Sequence, residues 1–380
     1  MGEWTLAATA AFGLEAVVAR ELKELGYHET RVDNGRVFFT GGPADVARAN
    51  LWLRASDRVL VKLGAFPAPT FDALFEQTLA LPWSDWLPED AAFPVAGKAV
   101  RSTLMSVPDC QAIVKKAIVE NLRRRYRRDW FPETGPVYPI TVSVLKDVAT
   151  ISLDTTGMGL HKRGYRRKAG EAPLKETLAA AMLLLARWTP QLPLVDPCCG
   201  SGTFPIEAAL LARRIAPGLR RTFLAEAWPQ VPAGLWAEER RAAEARIDRD
   251  LKLDLCGFDL DPEAIALSAE HAREAGVAND IRWETRPLHE LSLPAGPGMV
   301  ICNPPYGERL GEVRAAERLY RELGELYRTS PGWAFHVLSA HPHFERFFRR
   351  RANRARKLYN GRLECQFLSF PSSQLVPDMI

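Results

Sequence analysis

Asp196-Pro197-Cys198-Cys199-Gly200-Ser201-Gly202-Thr203 lies between an apolar run, Leu192-Pro193-Leu194-Val195, and a helical pattern over Phe204 to Arg213. The stretch reads as strand, glycine-rich turn, helix. Glycine lets a backbone approach a ligand with no Cβ in the way. The free N–H groups of a helix start can hold a carboxylate. The segment has neither the GxGxxG spacing nor the Lys-Ser/Thr ending of a phosphate loop. Taken alone, it also suits a plain tight turn.

The same alternation recurs on either side of this turn. A helix is expected over Leu174 to Trp188, and a buried strand over Leu192 to Asp196. Further strands are expected at Leu253 to Asp259, Ile281 to Glu284, Gly298 to Cys302, Trp333 to Ser339 and Leu363 to Phe370, with helical segments between them. Such alternation predicts an α/β domain built on a doubly wound, mainly parallel sheet. Ligands of these sheets bind at the carboxyl ends of the strands, near the switch point.

Two more motifs end strands. Gly257-Phe258-Asp259-Leu260-Asp261 closes the second strand. A carboxylate at that tip can accept both ribose hydroxyls of a nucleoside. Asp261 precedes Pro262, which suits a helix N-cap, so Asp259 is left for the ribose. Asn303-Pro304-Pro305-Tyr306 follows Met299-Val300-Ile301-Cys302. A base amine is a poor nucleophile because its lone pair is delocalised. The Asn303 oxygen and the Pro304 carbonyl can bind its two hydrogens and leave the lone pair free for an electrophilic methyl. Two prolines stiffen the acceptors, and Tyr306 can stack on a base taken out of its helix. The bland alternative is a rigid proline turn. Cys302 is better read as core than as a nucleophile.

The N-terminal half has a different pattern. Residues 1–60 read as helix, strand, helix: a stripe from Leu14 to Leu25, a strand Arg36 to Thr40 after the Asn34-Gly35 turn, and a helix Asp45 to Leu53. Residues 61–157 hold a Pro-rich aromatic stretch, a helix over Asp109 to Arg128, and a hairpin of Val137 to Leu145 and Val148 to Leu153. A basic connector, 158–172, leads to a domain expected over 173–380.

Charge is uneven, though the chain's formal net is only +4. Residues 101–168 carry 14 Lys/Arg against 6 Asp/Glu, and residues 345–362 carry 8 against 1. Local polyanion contact is one reading, and solvated helix faces are the other. The candidates for phosphate contact are Arg123, Arg124, Arg125, Arg127, Arg128, Lys162, Arg163, Arg166, Arg167, Arg349 and Arg350. The six scattered cysteines resemble neither a disulfide framework nor a zinc site, so reduced thiols and no metal are expected. No apolar run approaches a membrane span, and no signal peptide is read. A cytoplasmic protein is expected.

DPCCGSGT, GFDLD and NPPYGERL together resemble the class I S-adenosylmethionine (SAM)-dependent methyltransferases that act on exocyclic amines. LHKRGYRRKAGEAPLKETLAAAMLL and the layout of the N-terminal half narrow the resemblance to THUMP-domain RNA methyltransferases of the RlmL type. That family implies a ferredoxin-like domain, then a THUMP RNA-binding domain, then a Rossmann-like catalytic domain. It implies SAM as cofactor and N2-methylation of a guanosine in 23S rRNA. By the resemblance, Asp196, Gly200 and Gly202 line the methionine end of SAM, and Pro197, Cys199, Ser201, Thr203 and Phe258 are further cofactor-binding residues. Asp259 holds the ribose, and Asn303, Pro304, Pro305 and Tyr306 hold the guanine. Such enzymes commonly place an Asp against the adenine amine after the third strand, where this chain has Pro287. A fused second methyltransferase is not expected. The rivals are the same chemistry on tRNA, DNA adenine or release-factor glutamine methylation, and a non-catalytic RNA-binding assembly factor.

Overall fold

The structure, a computed structural model, describes residues 3–166, 174–307 and 312–372. Packing divides the chain into two units. The first takes in residues 1–10, 18–160 and 221–242, and the second 11–17, 161–220 and 243–380.

The first unit is built on one seven-stranded sheet. Its strands are β1 (Trp4–Ala10), β2 (Thr30–Asp33), β3 (Arg36–Gly41), β4 (Ser56–Pro67), β5 (Val95–Val100), β6 (Ile140–Leu145) and β7 (Val148–Asp154), in the order β2-β3-β1-β4-β7-β6-β5. Four of these strands, β1, β2, β4 and β5, are not read from the sequence. In β1, WTLAATA, three alanines dilute the strand signal of Trp4, Thr5 and Thr9. In β4, Val59, Leu60 and Val61 are all buried, so no clean alternation marks it. β4 pairs with both β1 and β7 and thereby joins the N-terminal strands to the later ones. The hairpin turns at Lys146 and Asp147, both at positive φ (50° and 59°). That is the turn geometry whose twist matches the flanking strands. A helix, Val107–Tyr126, packs beside the sheet. Ser106 caps its start and Arg127, in the left-handed region, ends it. The returning segment is held by Trp228, stacked on Tyr138 at 4.4 Å and donating to the Val137 carbonyl at 2.9 Å.

The second unit is the expected doubly wound domain. Its strands are β8 (Leu194–Asp196), β9 (Leu255–Asp259), β10 (Ile281–Thr285), β11 (Gly298–Cys302), β12 (Trp333–Ser339), β13 (Arg354–Asn360) and β14 (Leu363–Phe370). The order is β10-β9-β8-β11-β12-β14-β13. The first five run parallel, and β14 is antiparallel to both its neighbours, β12 and β13. Chain order runs outward from β8 to β10 on one side, then restarts at β11 on the other. The switch point is therefore between β8 and β11. Both strands are wholly buried, as a sheet covered on both faces requires.

The strand β13 is a correction. The basic block around Arg346 to Lys357 is expected to lie between strands, yet Arg354, Arg356 and Lys357 stand on an exposed edge strand. Charges there blunt an edge against pairing with another chain. Among the described residues, no helix is long and apolar enough to cross a membrane.

Candidate active site

The glycine-rich turn follows β8. Gly200 and Gly202 have φ of +52° and +78°, which L side chains rarely adopt. A Cβ on Gly202 would come within 2.7 Å of the Trp283 ring, and one on Gly257 within 2.3 Å. Trp283 of β10 thus packs where only glycines fit. A Cβ on Gly200 would meet nothing within 4 Å, so the turn faces open space.

Side chains from elsewhere hold the turn. The Ser268 hydroxyl donates to the Gly200 carbonyl at 2.7 Å, and His271 Nδ1 lies 3.1 Å from the Ser201 carbonyl. The Gly200 N–H donates to Asp259 at 2.8 Å. Arg166 donates to the hydroxyls of Ser201 and Thr203 and pairs with Glu176. Ser268 and His271 lie on one buried stripe of the helix Pro262–Ala275, beside Ala272 and Ala275. Polar residues on that apolar stripe are the signal that could have revealed them.

Carboxylates mark two strand tips. Asp196 is buried and accepts the Cys198 N–H at 3.2 Å. Burial pushes its pKa well up, and Asp259 adds to the rise. One oxygen of Asp259 holds Gly200, and the other accepts the Asp261 N–H at 3.0 Å. Asp261 caps the next helix, accepting the Glu263 N–H at 2.9 Å. The cap therefore falls where the sequence places it. Phe258 is buried, and its carbonyl accepts the Cys199 N–H at 2.9 Å. Leu260, beside Asp259, is 72% exposed. Pro287 begins the short turn after β10.

The third motif follows β11, across the switch point. The Tyr320 hydroxyl donates to the Pro305 carbonyl at 2.7 Å and pins the turn. The Tyr306 hydroxyl donates to Asn303 Oδ1, and the Cys365 thiol lies 3.7 Å from it. The tyrosine expected to offer its ring instead covers the very oxygen expected to take an amine. Burial pushes the Tyr306 pKa up and keeps its hydroxyl a donor. Burial likewise raises the Cys302 thiol well above its usual range, so no thiolate forms beside Asn303.

The basic candidates divide. Arg163 and Arg166 are not surface groups. Their side chains are 2% and 8% exposed, Arg163 lying 3.4 Å from the buried Glu207. The Tyr165 hydroxyl donates to the same glutamate at 3.2 Å. Neither arginine can meet a phosphate without breaking a buried pair, so both leave the phosphate set. Arg123, Arg124 and Arg128 are exposed but each pairs with an acid: Asp129 and Glu120, Glu120, and Glu89 respectively. Arg125 and Arg127 are exposed, and neither forms an ion pair among the described residues. Lys162, Arg349 and Arg350 are exposed. Arg167 lies outside the described residues. Among the described residues no cluster of three His, Cys, Asp or Glu is placed to hold a metal.

Gly202 caps the helix Thr203–Ala212 with no side-chain acceptor, which suits a carboxylate ligand at its N–H groups. Open space over Gly200 and an acidic tip on the adjacent strand complete a cradle for an amino-acid nucleoside. This fold and this cradle define a class I SAM-dependent methyltransferase.

Comparison with known proteins gives the family. The chain belongs to the RMKL-like methyltransferase domain family, whose model matches residues 163–369. Residues 5–60 match the RlmL ferredoxin-like domain, and residues 68–154 the THUMP domain. The YpsC protein of Bacillus subtilis (strain 168), provisionally named an RNA methyltransferase, is 46% identical over 97% of this chain and 96% of its own. The ribosomal RNA large subunit methyltransferase K/L of Syntrophotalea carbinolica is 38% identical over 96% of this chain. The match spans 53% of that longer protein. The solved structure of SMU.472, provisionally named a methyltransferase and complexed with S-adenosylhomocysteine, is 43% identical. It covers 99% of this chain, and all of that one is covered, with a TM-score of 0.92.

Proposed function

We propose that this methyltransferase modifies the exocyclic 2-amino group of a guanosine in 23S rRNA, giving N2-methylguanosine. The observation that carries the reading is Asn303, set directly after β11 beside the switch point and stiffened by two prolines. SAM supplies an electrophilic methyl. Asp196, Pro197, Cys199, Gly200, Ser201, Gly202 and Thr203 surround its methionine end, and Phe258 and Asp259 its nucleoside. The Asn303 oxygen and the Pro304 carbonyl accept the two hydrogens of the base amine. The nitrogen is then held pyramidal, with its lone pair toward the methyl. Tyr306 must first release Asn303, which frees its ring to stack on the incoming base.

The THUMP match and the names of the relatives support RNA as the substrate. In this reading residues 1–60 are ferredoxin-like, 61–157 bind RNA, 158–172 connect, and 173–380 catalyse in the cytoplasm. Arg123, Arg124, Arg125, Arg127, Arg128, Lys162, Arg349 and Arg350 contact phosphates, which supply affinity and position rather than base choice. The same chemistry on tRNA is the nearest alternative.

Mass-spectrometric mapping of methylated nucleosides in rRNA, tRNA and DNA, with and without the gene, tests the proposal. Loss of one N2-methylguanosine from 23S rRNA is expected. Its loss from tRNA instead would move the substrate, and loss of N6-methyladenine from DNA would overturn the reading.

Asp259→Ala is expected to weaken SAM binding by about 1–3 kcal/mol, the scale of hydrogen bonds to a charged group. Asp259→Asn keeps an oxygen for the Gly200 N–H but sets an NH2 against the Asp261 N–H, so it shows how much of the loss follows the carboxylate's charge and second acceptor. Calorimetric titration measures both. Unchanged affinity in the folded alanine variant removes Asp259 from the site, and the absence of any SAM binding by the wild type would favour a non-catalytic RNA-binding factor.

A further inference from the structure

The chain has ten tryptophans, all within the described residues. Nine are buried or partly buried, and Trp130 is 73% exposed. Its neighbours are anchored. Asp129 is held by Arg123 at 2.5 Å, and Phe131 meets the Tyr126 ring edge-on at 6.3 Å. Tyr126 itself donates to the Leu87 carbonyl at 2.7 Å. Two residues further on, Glu133 pairs with Lys115 at 2.6 Å. Side chains on both sides of Trp130 are therefore engaged while its indole stands in solvent. A single exposed apolar side chain is ordinary, but tryptophan is highly buried on average, so an indole this exposed marks a candidate contact.

The surroundings say what covers it. Trp130 follows five arginines within Arg123 to Arg128. Arg125 and Arg127 are exposed and form no ion pair among the described residues. Guanidinium groups without ion pairs among the described residues, three to five residues from an exposed indole, match a nucleic-acid strand better than a protein face. Arginine takes the phosphate, and the indole takes an unstacked base. A fully paired helix hides its base faces and offers nothing to the ring.

We infer that Trp130 is a stacking platform for an unpaired base, and that the RNA gripped at this surface is single-stranded or looped there. The inference rests on the RNA reading above but goes beyond it, since phosphate contact alone is indifferent to pairing. It gives the first unit a preference for RNA structure that is separate from base choice at Asn303.

The test is affinity for a single-stranded RNA oligonucleotide and for a duplex of the same sequence, each measured across salt concentrations. The full-length wild type, Trp130→Ala, Trp130→Phe and Arg125→Gln/Arg127→Gln are compared. Trp130→Ala is expected to lose about five- to a hundred-fold on the single strand, the range of one stacking contact. It should lose nothing on the duplex and keep the salt slope. Trp130→Phe should recover most of the loss. The arginine pair should weaken both RNAs and flatten the slope by about 0.7–0.9 per lost contact. In the wild type, single-stranded RNA should shield the one exposed tryptophan from acrylamide quenching. If Trp130→Ala binds the single strand like the wild type while the arginine pair is weakened, stacking is wrong and RNA docking stands. Equal losses on both RNAs also overturn stacking. If the arginine pair binds both RNAs at full strength with an unchanged slope, the RNA reading of this surface fails.

Discussion

Asn303→Ala is expected to lower kcat by about a hundred- to a thousand-fold, roughly 2.7–4 kcal/mol of transition-state stabilisation, by analogy with removing one preorganised polar contact from an active site. SAM binding and RNA binding should stay near wild type, because the side chain acts mainly while the amine is becoming a nucleophile. Neither the glycine-rich turn nor Asp259 depends on it for a hydrogen bond. The structure adds a complication that can be measured. The Tyr306 hydroxyl donates to the oxygen being removed, so the variant also frees Tyr306. Tyr306→Phe separates the two effects, since it uncovers the Asn303 oxygen and keeps the ring. If amine binding is what matters, Tyr306→Phe retains most turnover and Asn303→Ala does not. Single-turnover rates with saturating SAM make the comparison. A near-normal rate for Asn303→Ala would remove the amine-binding role.

Arg163→Ala is expected to cost about 3–5 kcal/mol of stability, the penalty for stranding a buried charge. Glu207 would be left at 0% exposure with, among the described residues, the Tyr165 hydroxyl as its side-chain partner. For a domain of about 200 residues, that lowers Tm by roughly 6–20 °C. Arg163→Met with Glu207→Gln removes both charges, keeps an acceptor for Tyr165, and should recover most of the loss. Thermal melts of the single and double variants decide. A single variant that melts like the wild type but binds RNA poorly would return Arg163 to the RNA surface.

Those two residues show how far the sequence reaches. Asn303 is legible because its surroundings are local. A buried apolar strand, a change to Asn-Pro-Pro and a fixed proline φ are all written in consecutive residues. Gly200, Gly202 and the Asp261-Pro262 cap are legible for the same reason, since positive φ and N-capping are near-neighbour effects. The periodicity of the second unit likewise places six of its seven strands. Arg163 and Arg166 are not legible, because a run of Lys and Arg has the same composition on a surface as it has beside Glu207 and Glu176. Only the approach of the helices Glu176–Leu185 and Thr203–Ala212 to that segment turns two of its charges inward.

The N-terminal sheet teaches the same lesson. β1 and β4 draw their stability from pairing across dozens of residues, which no local pattern carries. β13 escapes notice because an edge strand exposes its charges like a loop. The sequence alone determined which residues stand at the strand ends, since turn conformation and residue type decide that within a few residues. The tertiary structure alone decided which charges face water, which strands join the first sheet, and that Tyr306 covers Asn303. Burial and long-range pairing belong to surfaces that exist only once the chain has packed.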